Sequence, residues 1–251
     1  MIIIKNLTKK FGSKVAVDNI SVAIPEGRVI GFLGPNGAGK TTTMNIILGL
    51  EKPTAGEVKI DGKNYTELKD PLRVVGAIVG TNFHKNRSLR EHLRFLTVVA
   101  GIPRNRIDEV LELTGLTDVA KKPVGKFSLG MTQRAGIAAA ILGEPKYLIL
   151  DEPVSGLDPE GIICVREFCK AYAAAGHTVL ISSHLMSEVE HTVDGAIIIG
   201  RGKIIMTGTL KEILRKTETK TLEAAFIKLT AKEVEFRAGE LPKFSEAEGG
   251  K

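Results

Sequence analysis

The stretch GPNGAGKTT, residues 34–42, constrains the fold more than any other part of the sequence. It fits G-x-x-x-x-G-K-[ST], a pattern whose glycines let backbone N–H groups curl around phosphate oxygens. An apolar run, RVIGFLG, precedes it, and a segment with helical spacing, residues 40–50, follows it. The alternative, a glycine-rich turn with an unrelated lysine, fits these flanks poorly. The order of strand, loop and helix therefore predicts a phosphate site at a helix N-terminus.

The residue types in this loop predict separate roles toward a nucleotide. We expect Lys40 to reach the β- and γ-phosphates, and the Thr41 hydroxyl to bind Mg²⁺. The residues expected to surround the phosphates are Gly34, Pro35, Asn36, Gly37, Ala38, Gly39, Lys40, Thr41 and Thr42.

Composition bounds the class of protein. The chain has 251 residues, 43% hydrophobic and 25% charged, which is ordinary for a soluble globular protein. The net charge of +6 suits phosphates, nucleic acid or an anionic membrane, although a solvated lysine-rich surface explains it more simply. Tryptophan is absent and aromatic residues make up 5%, which disfavours a stacking platform for nucleic acid. Cys164 and Cys169 lack metal-ligand spacing, which favours a reducing compartment.

The apolar runs are short, and their order indicates an α/β fold. The N-terminal run MIIIKNLT and the run GEVKIDGKN read as strands, whereas residues 89–143 show helical spacing. The short apolar runs YLILDEP and TVLISSH read as strands, and a crossover helix lies between them. This order of strand, helix and strand predicts a parallel sheet. No apolar stretch approaches the ~18 residues that span a bilayer, so any membrane-spanning part is expected on another chain. The polar residues 231–251 are expected to form a weakly ordered tail.

Two acidic residues end a buried strand in LILDEP, residues 148–153. Burying charge is costly, so adjacent carboxylates at such a position need a partner. At the carboxyl end of the strand they can face the phosphate loop. Asp151 is suited to hold Mg²⁺, through water, and Glu152 to polarise an attacking water. The alternative is a plain strand-end cap.

Two further polar residues indicate a functional role only through their order after the other motifs in the chain. Asp158, in SGLDP, is by itself a helix N-cap before Pro159. His184, in ISSH, is by itself a loop histidine with a hydrogen-bond partner. Both follow the phosphate loop and the acidic strand end in sequence.

The whole series of GPNGAGKTT, a helical segment, FSLGMTQR, LILDEP, SGLDP and SSH resembles the nucleotide-binding subunits of ABC (ATP-binding cassette) transporters. The resemblance covers about residues 2–230, which would form one ABC-type ATP-binding domain, residues 1–230. It implies a P-loop NTPase (RecA-like) α/β core with an N-terminal antiparallel β-subdomain. A helical subdomain, about residues 83–143, would be inserted in that core.

The resemblance also implies roles for single residues with ATP and Mg²⁺ as cofactors. Phe11, in KKFG, would stack on adenine, although an ordinary core aromatic is the alternative. Residues 34–42 would be the Walker A loop. Asp151 would be the Walker B aspartate and Glu152 the catalytic glutamate. Asp158 would be the D-loop aspartate, and His184 the switch histidine at the γ-phosphate.

The stretch FSLGMTQR departs from the family's usual signature, Leu-Ser-Gly-Gly-Gln. Ser128 and Gly130 survive, and they match the groups whose hydroxyl and backbone N–H meet the γ-phosphate. Ser128 is also suited to N-cap the following helix. The resemblance implies that two chains pack head to tail, so that each signature closes the other chain's ATP. The variant resembles the bacitracin-export and lantibiotic-immunity group.

A second departure falls after the strand VVGAIV, residues 74–79. Relatives place a glutamine or glutamate there, near Mg²⁺ and the attacking water, whereas this chain has Gly80. Thr81 or Asn82 could supply an oxygen instead, or the register could differ by one residue. We expect slower hydrolysis or looser coupling than in a relative with glutamine.

The stretch after Gly80 matches the surface through which relatives grip their permease. Phe83, His84, Lys85 and Arg87 are consistent with such a contact, and a solvated loop is an equal alternative.

The leading hypothesis is an ATP-hydrolysing subunit that powers a separately encoded transmembrane permease. It would act as a dimer of identical chains, peripheral on the cytoplasmic side of the membrane and without nucleic acid. The resemblance favours export of a peptide, antibiotic or lipid-like compound. The alternatives are a soluble ABC ATPase acting on nucleic acid or ribosomes, or a weakly hydrolysing ATP-sensing subunit. The single cassette and the absence of long heptads disfavour the first alternative.

Overall fold

The structure is a computed structural model that describes residues 1–80 and 83–230. Thr81, Asn82 and the predicted tail, residues 231–251, lie outside the described residues. The described part forms these strands and helices in chain order: β1 (Ile2–Phe11), β2 (Lys14–Ile24), β3 (Val29–Leu33), α1 (Lys40–Ile47), β4 (Ala55–Ile60), α2 (Pro71–Val74), β5 (Val75–Ile78), α3 (Leu89–Ala100), α4 (Arg106–Leu113), α5 (Leu129–Ala140), β6 (Tyr147–Leu150), α6 (Pro159–Ala174), β7 (Thr178–Ser183), α7 (Met186–Val189), β8 (Gly195–Gly200), β9 (Lys203–Thr209), α8 (Leu210–Thr217) and α9 (Leu222–Thr230).

A small antiparallel sheet contains the strands β2, β1 and β4 in that order. In β1 the side chains alternate between the two faces of the sheet, so Ile2 and Ile4 are buried while Ile3 is half-buried and Lys5 is exposed. The pairing register shifts between Ile4 and Leu7, where Asn6 adopts a positive φ of 49°. The shift keeps Leu7 buried, so the sheet retains one apolar face for the core.

The larger sheet has the strand order β5-β6-β7-β3-β8-β9. All neighbouring pairs are parallel except β8 and β9, which form an antiparallel hairpin. Every residue of β3, β6 and β7 is buried, as expected for parallel strands covered on both faces. The carboxyl ends of these three strands meet at one edge, and the segments that follow them carry the candidate site.

The helices α3, α4 and α5 pack together beside the parallel sheet. Their apolar faces share one core with the sheet, through residues such as Leu93, Val110 and Ala138. A capping box at Ser88 begins α3, because the Ser88 hydroxyl accepts from the Glu91 N–H while the Glu91 carboxylate accepts from the Ser88 N–H. The predicted fold class, an α/β core with an antiparallel β-subdomain and inserted helices, is confirmed.

Local details differ from the sequence prediction. The helix after the phosphate loop ends at Ile47, two residues before Gly49, which adopts a left-handed φ of 66° as is common after a helix end. The crossover helix α6 begins at Pro159, before the run IICVREFCKAYAAAG (residues 162–176) whose pattern predicts it, because Asp158 caps the helix and proline is favoured in its first turn. Helices α8 and α9 were not anticipated from the sequence.

Candidate nucleotide-binding site

The phosphate loop joins β3 to α1 and depends on glycine at specific positions. Gly37 and Gly39 have φ values of 80° and 102°, which side chains other than glycine rarely adopt. A Cβ atom on Gly34 would lie 2.4 Å from the Ile199 carbonyl oxygen, and one on Gly39 would lie 2.4 Å from the Ala16 carbonyl oxygen. The backbone therefore curls closely between β2 and β8 and leads into the N-terminus of α1, where the first N–H groups have no partner within the helix.

Lys40 is the first residue of α1, and its side chain is buried although charged. The ammonium group donates to the carbonyl oxygens of Gly34, at 2.7 Å, and Pro35, at 3.3 Å. It also lies 3.3 Å from Glu152 Oε1. A buried ammonium group needs such partners because desolvation is costly. The arrangement holds a cation directly over the loop that is suited to bind phosphates.

Thr41 and Asp151 meet across the gap between the loop and the end of β6. The Thr41 hydroxyl donates to Asp151 Oδ2 at 2.8 Å, and the Ser182 hydroxyl donates to Asp151 Oδ1. A hydroxyl beside a carboxylate is a donor set that fits Mg²⁺, whose other ligands are phosphate oxygens and water. In the part of the chain that the structure describes, no group of three or more His, Cys, Asp or Glu side chains could hold a metal ion. The Thr41 hydroxyl and the Asp151 carboxylate fit Mg²⁺ as two of its oxygen donors.

Glu152 follows with a strained backbone. Its φ of 51° is unusual for a residue with a side chain, and such strain is concentrated at functional sites. The Glu152 N–H donates to the Ser182 hydroxyl at 2.9 Å, which holds the turn in place. His184 Nδ1 lies 2.8 Å from Glu152 Oε2. The carboxylate is therefore fixed between the Lys40 ammonium group and the imidazole, where it can orient a water molecule.

A cleft of about 500 Å³ is lined by Lys40, Glu152 and His184, and its lining also includes Phe11 and Lys14. Phe11 is 48% exposed, so the alternative of a core aromatic is wrong. The Lys9 ammonium group lies 4.7 Å from the centre of the Phe11 ring. The ring is placed at the mouth of the cleft, where it can stack on a nucleotide base.

Ser128, Gly130 and Asp158 line a second cavity, also about 500 Å³, which does not include any residue of the phosphate-loop cleft. The Ser128 hydroxyl accepts from the Met131 N–H at 3.2 Å and so caps α5. A Cβ on Gly130 would meet only the Leu157 side chain, at 3.8 Å. The neighbouring Leu129 is 49% exposed. Ser128 and Leu129 are therefore exposed at the surface, in a cavity that is separate from the phosphate-loop cleft of the same chain.

Asp158 serves first as a structural cap in this structure. Its Oδ1 accepts from the Gly161 N–H at 3.0 Å at the start of α6. It shares the second cavity with the signature residues and not the cleft that contains Lys40. Asp158 therefore does not line the phosphate-loop cleft of its own chain.

Ser182 is the functional residue that the sequence reasoning missed. It is fully buried in β7 and connects the two acids, donating to Asp151 and accepting from the Glu152 N–H. The available signal was a hydroxyl inside an otherwise apolar strand, since ISSH places it two residues before His184. Lys14, at the cleft, carried no comparable signal.

Gly80 follows β5 with a φ of 68°, and a Cβ there would have nothing within 4 Å. Space for a side chain exists at this position, although its backbone conformation favours glycine. The alternatives Thr81 and Asn82 lie outside the described residues.

The described residues include no helix that is both long enough and apolar enough to cross a membrane.

The order of these segments is that of a known family. The family model described as ABC transporter matches residues 17–155, which is more than half of the chain. The chain belongs to the ABC transporter family, and it is an ATP-binding, ATP-hydrolysing subunit of that family.

Curated relatives confirm the group predicted from the signature. The bacitracin transport ATP-binding protein BcrA of Bacillus licheniformis is 47% identical over 226 residues, covering 87% of this chain and 72% of BcrA. The lantibiotic transport ATP-binding protein SrtF of Streptococcus pyogenes is 41% identical over 207 residues, covering 82% of this chain and 90% of SrtF.

Solved structures agree with the fold. An ATP-binding subunit of an ABC transporter superposes with a TM-score of 0.83 at 27% identity, covering 92% of this chain and 99% of that subunit. The cassette MJ0796, in a dimeric post-hydrolysis state bound to ADP and Pi, gives a TM-score of 0.75 at 26% identity over 84% of this chain and 99% of MJ0796. The described fold is therefore that of an ABC ATPase cassette.

Proposed function

We propose that this chain is the motor of an exporter, in which two copies enclose two ATP molecules and drive a separate membrane permease. One observation carries the proposal: the phosphate-loop cleft and the signature cavity are both formed, but they lie apart on the same chain. A second copy packed head to tail brings the missing half to each cleft. The dimeric state of MJ0796 supports this arrangement.

Within each proposed site, the chain's own residues divide the work. Lys40 turns from the loop carbonyls to the phosphates, since phosphate oxygens are stronger partners for an ammonium group. Thr41 and Asp151 would hold Mg²⁺, which would neutralise negative charge on the phosphates. Glu152 accepts a proton from the attacking water, and His184 holds that carboxylate in place. Ser128 and the N–H groups at the start of the partner's α5 complete the binding of the γ-phosphate.

The proposed permease contact lies on α3 and the residues before it. A groove of about 550 Å³ is lined by His84, Arg87 and Phe95 among others. Phe83 itself packs edge-on against His92, with ring centres 4.9 Å apart, so the exposed apolar surface comes from Phe95 and Val98 instead. Residues 83–143 contain ten lysines and arginines but only five acidic residues. The permease segment that fits this groove is therefore acidic and partly apolar.

The transported compound follows from the relatives and not from the site. The names of BcrA and SrtF assign transport of bacitracin and of lantibiotics to those proteins. By analogy we infer export of a peptide, antibiotic or lipid-like compound here, with the chain bound peripherally at the cytoplasmic face of the membrane. The cassette would span residues 1–230, with its helical subdomain at about 83–143 and residues 231–251 as an appended tail.

The proposal is tested with the variant Glu152→Gln, which retains the phosphate loop but lacks the general base. ATP should convert purified Glu152→Gln from monomer to dimer, measured by light scattering, while hydrolysis falls by about 100-fold or more. Expressed in its own cells with an affinity tag, the variant should retain one membrane protein whose release increases with salt. A protein that binds ATP yet stays monomeric at all concentrations would contradict the proposal.

A further inference from the structure

An arginine from the helix α4 reaches the end of the signature helix α5. Arg106, the first residue of α4, donates to the carbonyl oxygens of Ile141, at 3.3 Å, and Leu142, at 3.4 Å. Its guanidinium also pairs with Glu144, at 3.1 Å, and with Glu109. The side chain is only 15% exposed. These contacts place a held cation at the C-terminal end of α5.

An arginine from α5 makes the reciprocal contact. Arg134 Nη1 donates to the carbonyl oxygens of Thr114, at 3.2 Å, and Gly115, at 3.3 Å. These two residues directly follow Leu113, the last residue of α4. Each of the two helices thus has its C-terminal end bound by an arginine of the other.

Such contacts matter because the last carbonyl groups of a helix have no partner within it. A cation there satisfies these groups and the negative end of the helix dipole. A guanidinium group donates in a fixed planar geometry, so it sets orientation as well as distance. Two such contacts at opposite ends of a helix pair hold the helices in one relative placement.

The C-terminal end of α5 is also fixed on the sheet. A Cβ on Gly76 would lie 2.0 Å from the Ala140 carbonyl oxygen, and one on Gly143 would lie 2.2 Å from the Leu72 carbonyl oxygen. This end cannot shift without disturbing β5 or α2. The opposite end begins at Ser128, so the direction of α5 decides where the Ser128 hydroxyl points.

We propose that Arg106 and Arg134 are positioning residues that aim the start of α5 at the partner's ATP. The inference rests on the proposed enclosure of ATP between two copies. Neither arginine needs to touch the nucleotide on its own chain. Their loss should therefore slow hydrolysis at the partner's phosphate loop and leave nucleotide binding to the variant's own loop intact.

The test places the same substitutions in two arrangements of a dimer purified through two different tags. In the first, Arg106→Gln/Arg134→Gln is on one chain and Glu152→Gln is on the other. The one hydrolysing site then combines the arginine variant's phosphate loop with an unaltered signature. In the second, all three substitutions are on one chain and the partner is wild type. The one hydrolysing site then faces the altered signature.

We expect the first arrangement to hydrolyse ATP within about twofold of a wild-type/Glu152→Gln dimer, and the second to be slower by about tenfold, a difference of the size that loss of positioning produces. The affinity of the double variant for a fluorescent ATP analogue should change by less than about twofold. Equal rates in the two arrangements would overturn the inference, because a general loss of structure does not depend on which chain carries the change.

Parallel dimers with Ser128→Arg in place of the arginine changes separate this inference from the proposed function. If the Ser128→Arg dimers show no difference between arrangements, ATP is not shared between copies and the proposed function fails. If they differ and the arginine dimers do not, only the inference fails.

Arg166→Ala on α6 is the matched arginine control, and Arg134→Lys should recover part of the rate. If the double variant does not fold, Arg134→Gln alone is compared in the same two arrangements.

Discussion

The cleft around Lys40 and the cavity around Ser128 are of similar size but differ in how their polar groups are held. In the cleft, Lys40, Asp151 and Glu152 are bound by partners from the same chain, at the ends of three buried parallel strands. In the cavity, Ser128 is held only as a helix cap, beside the exposed Leu129. We propose that the cleft can bind a nucleotide on a single chain, whereas the cavity contributes only when a second copy brings it to that nucleotide.

This difference shows what fixes the positions of the polar groups in the cleft and in the cavity. The cleft is fixed by the sheet, so it should bind nucleotide on an isolated chain. The cavity depends on the placement of α5 and on a second copy, so it should affect closure and hydrolysis more than binding. The following changes separate these two contributions.

Lys40→Ala should have the largest effect. It removes the buried cation from the phosphate loop and leaves Glu152 without its ammonium partner. We expect the affinity for ATP to fall by about 100-fold, as expected for loss of a charge-assisted contact worth about 3 kcal/mol. Isothermal titration calorimetry measures this. Ser128→Arg serves as the contrast, because it should leave binding to a single chain within about twofold. Equal losses in both variants would remove the distinction between cleft and cavity.

Ser182→Ala tests the support behind the two acids. The change leaves Asp151 Oδ1 and the Glu152 N–H without their shared hydroxyl partner. We expect kcat to fall by about tenfold, which corresponds to about 1.4 kcal/mol, with a smaller change in ATP affinity. Steady-state ATPase assays give both values, and Ser183→Ala in the adjacent position is the control. If Ser182→Ala leaves kcat unchanged, the strained backbone conformation of Glu152 does not depend on the Ser182 hydroxyl.

Gly80→Gln tests the missing side chain near the cleft. The amide could orient the attacking water, so we expect hydrolysis to rise by about threefold, the direction expected when a water-positioning residue is gained. The left-handed backbone should cost about 1–2 kcal/mol of folding stability. Gly80→Ala carries the same backbone cost without the amide and should show no gain in rate. Equal rates for wild type and Gly80→Gln would count against the predicted role of this position.

The two cysteines provide the smallest effect. Cys169 is buried, and burial raises the pKa of its thiol to about 12, whereas Cys164 is exposed in the Ser128 cavity. At pH 8 a thiol reagent should modify Cys164 and spare Cys169, since the thiolate is the reactive form. In Glu152→Gln, ATP should slow labelling of Cys164 by about threefold as the cavity closes, a modest population shift. Labelling that ATP leaves unchanged would place Cys164 outside the interface.

Much of the fold and the site could be predicted from the sequence because the informative residues lie close together in the chain. The glycines of residues 34–42 predict the phosphate loop from neighbouring residues alone. The paired acids Asp151 and Glu152 likewise predict an acidic strand end. Parallel strands then bring separate segments to one edge by rule. The contacts that were not predicted are those between distant residues with ordinary local patterns.

Three residues illustrate that limit. Ser182 looks like any strand serine until its two partners on the neighbouring strand end are known. Arg106 and Arg134 read as surface charges on amphipathic helices, and only their tertiary contacts show that each binds the end of the other's helix. Hydrogen bonds between segments far apart in sequence leave no periodic signal, so spacing alone does not reveal them.

A structure of Glu152→Gln with ATP and Mg²⁺ tests the central claim most directly, through the distance from Ser128 Oγ to the γ-phosphate bound by the partner chain. The account predicts about 2.7–3.2 Å, a hydrogen bond across the interface, with Lys40 of the other chain on the same phosphate. A nucleotide-bound protein in which Ser128 Oγ faces solvent, with no second copy near it, would contradict the account.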